Sequence, residues 1–234
     1  MYTHDEIAPG IHQLRFYDAK RGIGFNQYLI AADDPALVST GAMSGFDALW
    51  AALSEILADP ARLRYLVVPH FEADEAGALG AFVDRCAAAR PVCAAVAARQ
   101  IVGFGLSPEP LVVAEGDRID LGSHVLRFSL VPWEMHLWEG LVAFEERQGV
   151  LLSSDLFGQR LDPTAERPAD LPAASAAMTT GSVPVRALRD QVYARLAPLD
   201  VRLVAPGHGF AFVPEGGLDR LAARVEAVTP AAAS

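Results

Sequence analysis

Four apolar runs in this chain end on residues able to bind a metal ion. VVPHFEADE puts His70 just past a strand-like run, with Glu72 and Asp74 on alternate positions behind it. LVPWEMHLWEG carries His136 just past a second run, VLLSSDLFG carries Asp155 past a third, and RLVAPGHGF carries His208 past a fourth. Gly207 and Gly209 let the backbone turn sharply beside that last imidazole. Loops at strand ends can converge on one point while the strands hold them rigid. The chain must therefore fold so that the ends of four separate strands reach one rim. His4, His12 and His124 lack this setting: His4 precedes two acids near the terminus, and the other two lie at or near strand starts.

The rest of the pattern alternates strands and helices. GIHQLRFY, FNQYLIA and ALVST read as early strands, and RYLVVP as a buried one. Ser44 opens SGFDALWAALSEILADP with Asp47 three residues later, the pattern of a capping box. Phe46, Leu49, Trp50, Leu53, Ile56 and Leu57 then share one helical face, which Asp59-Pro60 ends. Leu79, Phe82, Val83 and Cys86 repeat at helical spacing, with Pro91 expected to close that helix. HVLRFSLVP, GLVAFEE, GVLLSS and VRLVAP read as further strands. VPVRALRDQVYARLAPL and GGLDRLAARVEAV read as helices, and Asp162 to Met178 as a surface loop. Two strand-rich halves with helices outside imply two sheets packed face to face and covered on their outer sides. No linker breaks the composition, so residues 1–228 are expected to form one domain and 229–234 a frayed tail.

Composition removes several classes of function. The net charge is -10, with 29 acidic against 19 basic residues, and such a surface repels phosphate backbones. Nucleic acid is therefore not an expected partner. No window is long and apolar enough to span a bilayer, so no membrane association is expected either. MYTHDEIAPG has no basic region followed by an apolar stretch, and the only cysteines, Cys86 and Cys93, form no CxxC pair. A cytoplasmic protein with free thiols is the expectation.

Taken singly, HxE or GHG is a weak signal. Together His70, His136, His208, Glu72, Asp74 and Asp155 offer three imidazoles and three carboxylates. That is enough for two metals with one carboxylate between them. The order HxExD, then His, Asp and GHG, resembles the metallo-β-lactamase superfamily, an α+β fold of four αββα layers. The Glu at position 72 resembles its flavodiiron branch, including the stand-alone oxygen-binding diiron proteins. FNQYLI, SSDLFGQ and APGHG are similar to segments of that branch. The resemblance implies that His70, Glu72 and His136 hold one iron, Asp74 and His208 the other, and that Asp155 bridges. The superfamily's hydrolases use HxHxDH instead, which this chain misses at Glu72 and Glu75; the flavodiiron pattern HxExDH is missed only at Glu75. An anionic oxygen donor in place of an imidazole stabilises higher iron oxidation states, whereas imidazole-rich sites suit zinc.

Three functions follow as expectations. One is a diiron protein that binds or reduces dioxygen or nitric oxide with electrons from a separate donor protein. The second is a sensor using the same site without turnover. The third is a dinuclear hydrolase of an ester, lactone or phosphodiester. The cofactors implied are two iron ions, with zinc or manganese able to fill the site in recombinant protein, and no flavin on this chain, since neither a flavodoxin domain nor a dinucleotide fingerprint is seen. The branch also implies a homodimer. Two positions depart from the pattern. Ser39 stands in LVSTG where many members have Asp. Glu75 is either a metal or supporting carboxylate or, as the simpler reading, a solvated acid suited to the first turn of a helix.

Overall fold

The computed structural model describes residues 1–106, 109–131, 140–162, 165–171, 174–175, 194–221 and 223. His136, most of the helix expected around VPVRALRDQVY, and the 229–234 tail lie outside the described residues.

The chain opens with β1 (Thr3–Ala8), β2 (Ile11–Asp18), β3 (Ile23–Ile30) and β4 (Ala36–Val38), which pair antiparallel in sequence order. Helix α1 (Phe46–Ile56) then leads to β5 (Tyr65–Val68). Two short helices, α2 (Ala73–Ala76) and α3 (Leu79–Arg85), precede β6 (Arg90–Cys93). Helix α4 (Ala95–Gly103) connects to β7 (Leu111–Val112). Strands β4 to β7 are parallel, which completes a seven-stranded sheet in the order β1 to β7. The second sheet contains β8 (Arg118–Asp120), β9 (Val125–Leu130), β10 (Leu141–Glu145), β11 (Val150–Ser154) and β12 (Leu203–Pro206). Its order is β12-β11-β10-β9-β8, antiparallel except for the β11–β12 pair.

Side-chain alternation along these strands builds three apolar layers, because neighbouring residues point to opposite faces. Leu29, Leu66 and Val68 face α1, α3 and α4. Tyr28, Ile30 and Val67 meet Phe128, Leu141 and Ala143 between the sheets. Val142, Phe144, Leu151 and Val204 face outward beneath the later part of the chain. Central strands covered on both faces must be apolar almost throughout, which is why VLLSS and YLVV lack a polar-apolar alternation. The result is the expected four-layer αββα sandwich.

Several local expectations need correction. Ser44 does not cap α1: the chain enters through a 3-10 turn at Met43–Gly45, and no side chain caps either start. Pro91 does not close α3, which ends at Arg85; Pro91 sits in β6 opposite Leu66. The short strands β1, β6, β7 and β8 and helix α4 carry no periodic signal strong enough to be read from sequence. Helix α4 buries mainly Ala97, Ala98 and Ile101, and small alanines blur an amphipathic stripe. The expected loop from Asp162 to Met178 is described in part, and Leu171 and Ser175 within it are buried.

Candidate metal centre

Strand β5 of the first sheet and the parallel pair β11 and β12 of the second bring their carboxyl ends to one rim of the sandwich. His70 follows β5 after Pro69. Asp155 directly follows β11, and His208 follows β12 after Gly207. A register shift between Leu152 and Ser154 disturbs the β11–β12 ladder just before Asp155, as a bulge does when it re-aims a strand end. Ser154 has φ 52°, a left-handed conformation that costs free energy outside glycine and tends to occur at functional sites.

Two residues of β3 tie the final histidine loop to the first sheet. The Asn26 side-chain amide donates to the carbonyls of Pro206 and Gly209, each at 2.8 Å, and the Tyr28 hydroxyl donates to Pro206 at 2.7 Å. Gly209 turns with φ 82°, and a Cβ there would collide with the side chain and carbonyl of Gln159, so this position of GHG leaves no room for a side chain. An Asn26→Leu change removes both amide donors while keeping the volume. It should lower unfolding stability by about 2 kcal/mol, as expected when a buried carbonyl loses its partner. Urea unfolding of the metal-free protein measures this, and an unchanged midpoint would show that β3 does not hold the loop.

Each of the two imidazoles has an oxygen within hydrogen-bond reach of its Nδ1. His208 Nδ1 lies 2.9 Å from the Gly24 carbonyl, and the Phe25 ring stands edge-on to His208 at 5.3 Å. His70 Nδ1 lies 2.9 Å from Glu75 Oε2. A carbonyl or an ionised carboxylate requires a proton on Nδ1, which leaves Nε2 as the metal-facing nitrogen of both rings. His70 Nε2 faces Glu72 Oε2 at 3.4 Å and Asp155 Oδ2 at 3.8 Å. His208 Nε2 faces Asp155 Oδ1 at 3.1 Å and Asp74 Oδ2 at 3.5 Å. The two oxygens of Asp155 thus address different imidazoles. Among the described residues the donors meet in such pairs, and no group of three or more His, Cys, Asp or Glu is placed to hold a metal ion.

Burial and neighbouring carboxylates act in opposite directions on the two imidazoles. Burial pulls His70 toward neutrality, yet the Glu75 carboxylate, aided by Glu72 and Asp155, pushes it up to about 12. Burial likewise opposes charge on His208, but Asp155 and Asp74 push it up to about 9. Asp74 is raised by burial and by the Glu75 and Asp155 charges, against the pull of His208. In both rings the surrounding carboxylates thus outweigh the cost of burying positive charge. The donors, oxygen-rich with Nε2 presented twice, are of the chemical type that first-row divalent and trivalent ions take.

Sequence reasoning missed the supporting residues Asn26, Tyr28 and Ser154. FNQYLI and SSDLFG contain them in plain view, but a polar residue inside a strand reveals its target only once the register is known. The reading of Glu75 as a solvated acid is overturned: Glu75 is 3% exposed and turned inward. The Thr40 backbone N–H and hydroxyl both donate to the Glu75 carbonyl, at 2.6 and 3.0 Å, so the end of β4 anchors this turn. Beside it Ser39 is buried with φ 64°, and its N–H donates to Val67. The histidines left out of the set lie elsewhere. His4 meets Glu55, and His124 is buried 3.2 Å from Glu145 near the start of β11, at the opposite end of the sandwich from Asp155.

Two facing sheets between helical layers, with His and carboxylate groups on one rim, define a metallo-β-lactamase-like domain. The chain belongs to the ODP family beta lactamase, whose family model matches residues 23–209. It is 32% identical over 151 residues to a nitric oxide reductase of Moorella thermoacetica, a match covering 62% of this chain and 36% of that protein. A rubredoxin-oxygen oxidoreductase of Megalodesulfovibrio gigas is 27% identical over 142 residues, covering 60% of this chain and 35% of the relative. The chain thus spans about a third of the length of these relatives, at 36% and 35%. A flavo di-iron protein variant from Thermotoga maritima superposes with a TM-score of 0.85 at 21% identity, covering 98% of this chain and 61% of that one. At that identity the superposition speaks for the fold.

Proposed function

We propose that this chain forms the dinuclear iron domain of an oxidoreductase that binds or reduces dioxygen or nitric oxide, drawing electrons from a separate donor protein. Asp155 carries the proposal: its two carboxylate oxygens face the Nε2 atoms of two different histidines, as a bridge between two metals requires. In this reading His70, Glu72 and His136 hold one iron, Asp74 and His208 hold the other, and residues 1–228 form one domain working as a homodimer. When bound, the iron pair supplies an open coordination position for a diatomic ligand and two electrons from adjacent ions.

The protein's own groups do the rest. Glu75 and the Gly24 carbonyl fix the two rings, and Glu72, Asp74 and Asp155 offset the metal charge. A cavity of about 660 Å³, lined in part by Phe16 and Phe25, opens onto Glu72, Asp74, Asp155 and His208. The names of the two relatives support nitric oxide or dioxygen as substrate and a small redox protein as donor. The cavity is also larger than a diatomic molecule needs, which keeps hydrolysis of an organic ester or phosphodiester as the second reading.

Protein purified anaerobically from iron-rich cells is expected to hold about two metals per chain, mainly iron, as carboxylate-bridged pairs do. It should consume dioxygen or nitric oxide catalytically when a donor system is added, and stoichiometrically without one. Elemental analysis and gas-electrode assays measure both. Catalytic ester cleavage by an air-stable dizinc form, with no oxygen reaction of the iron form, would replace this reading with the hydrolase. A stoichiometric reaction that never becomes catalytic with any donor would favour a sensor.

A further inference from the structure

Glu75 is a buried carboxylate that lies against the Nδ1 side of His70, the side away from Glu72 and Asp155. Its Oε2 accepts from the His70 backbone N–H at 3.0 Å and lies 2.9 Å from His70 Nδ1. Its Oε1 accepts from the Ser154 hydroxyl at 2.5 Å, and that hydroxyl also lies 3.4 Å from His70 Nδ1. Three features of the fold converge to make this contact. The α2 turn starts immediately after Glu72, Thr40 grips the Glu75 carbonyl, and Ser154 adopts its left-handed conformation. A surface acid would need none of them.

A carboxylate in this position acts on a metal through the ring. It fixes the Nδ1–H tautomer and the ring plane, and it makes Nε2 a stronger donor by drawing on the Nδ1 proton. A glutamate with both oxygens so engaged is held in one rotamer, which removes the entropy cost of ordering it at the moment of metal binding.

We infer that Glu75 is a positioning residue for His70, held by Ser154, and that it strengthens the metal site on the His70 side without itself touching metal. The inference rests on the proposed metal centre, and its test separates the two. Glu75→Gln keeps the volume and removes the anionic acceptor. Zinc affinity, measured by competition with a chromophoric chelator, should fall about 10- to 100-fold, the usual cost of losing such a partner. In the zinc-loaded protein, nitrogen-15 NMR of the histidine rings should show a strongly downfield His70 Nδ1–H proton that moves upfield in Glu75→Gln, while the His208 signal stays in place. In the iron-loaded protein the reduction potential should rise, because an anionic partner favours the ferric state; a tenfold change in relative ferric affinity reads as about 59 mV.

Ser154→Ala removes only the hydroxyl that holds Glu75, and should move all three readouts the same way by a smaller amount. It also serves if Glu75→Gln fails to fold. If the unsubstituted protein binds no metal, the metal centre itself is wrong. If it binds metal and neither variant shifts affinity, the His70 proton or the potential, the centre stands and Glu75 has no part in it.

Discussion

An Asp155→Ala variant is expected to lose both metals, whereas Asp74→Ala should lose chiefly one. Among the described residues Asp155 has an oxygen toward each of His70 and His208, while Asp74 is placed near His208. Loss of a direct ligand must cost more than loss of a hydrogen-bonded supporter, so affinity at each position should fall by more than about 100-fold in Asp155→Ala. The fold should tolerate the change when metal-free. The Asp155 side chain is 15% exposed at the rim, and its charge already disfavours ionised Asp74. Metal content per chain, read beside thermal melting of the metal-free forms, separates ligand loss from unfolding. Two metals retained at unsubstituted affinity would show that Asp155 does not bridge.

The positions of these donors were legible because a metal site needs backbone held in place, and strand ends provide it. An apolar run ending in His or Asp is visible in one dimension, and β5, β11 and β12 each followed from such a run. Glu75 was legible only as a choice between a metal or supporting carboxylate and a solvated acid. By sequence it is simply the residue after Asp74 in the first turn of a helix, where exposed acids are common. Only a turn as short as α2, pinned by Thr40, folds that side chain back under His70. The strand register mattered in the same way for Asn26 and Tyr28, which point across to the other sheet because they share one face of β3. Fold class was easier to read than either, since it rests on many apolar positions whose errors average out. A misplaced cap at Ser44 or a misread Pro91 changes an element boundary without changing which faces are buried.

Glu72→His should change which chemistry the centre can do. Glu72 follows His70 by two residues in extended backbone, with φ -121° and ψ 165° just before α2, so its side chain reaches toward the face that His70 Nε2 addresses. The change replaces an anionic oxygen donor by a neutral nitrogen and brings the motif to the HxHxD of the hydrolases. A ferric ion gains more from a negative ligand than a ferrous one. A unit charge at about 4 Å is worth about 4 kcal/mol at an effective dielectric near 20. Even a third of that, about 1.4 kcal/mol, is a factor of ten in an equilibrium. The ferrous form of Glu72→His should therefore react with air at least about tenfold more slowly, and in mixed-metal loading the protein should take up zinc over iron. Glu72→Gln separates the two causes, since it loses the charge and keeps an oxygen donor. If charge controls oxidation and donor type controls metal choice, Gln should slow the air reaction as His does while leaving the zinc-to-iron ratio closer to that of the unsubstituted protein. Stopped-flow oxidation of anaerobically reduced protein and elemental analysis after competitive loading give both numbers. Oxidation at the unsubstituted rate in both variants would mean that the anionic donor at position 72 is not what suits this site to redox iron.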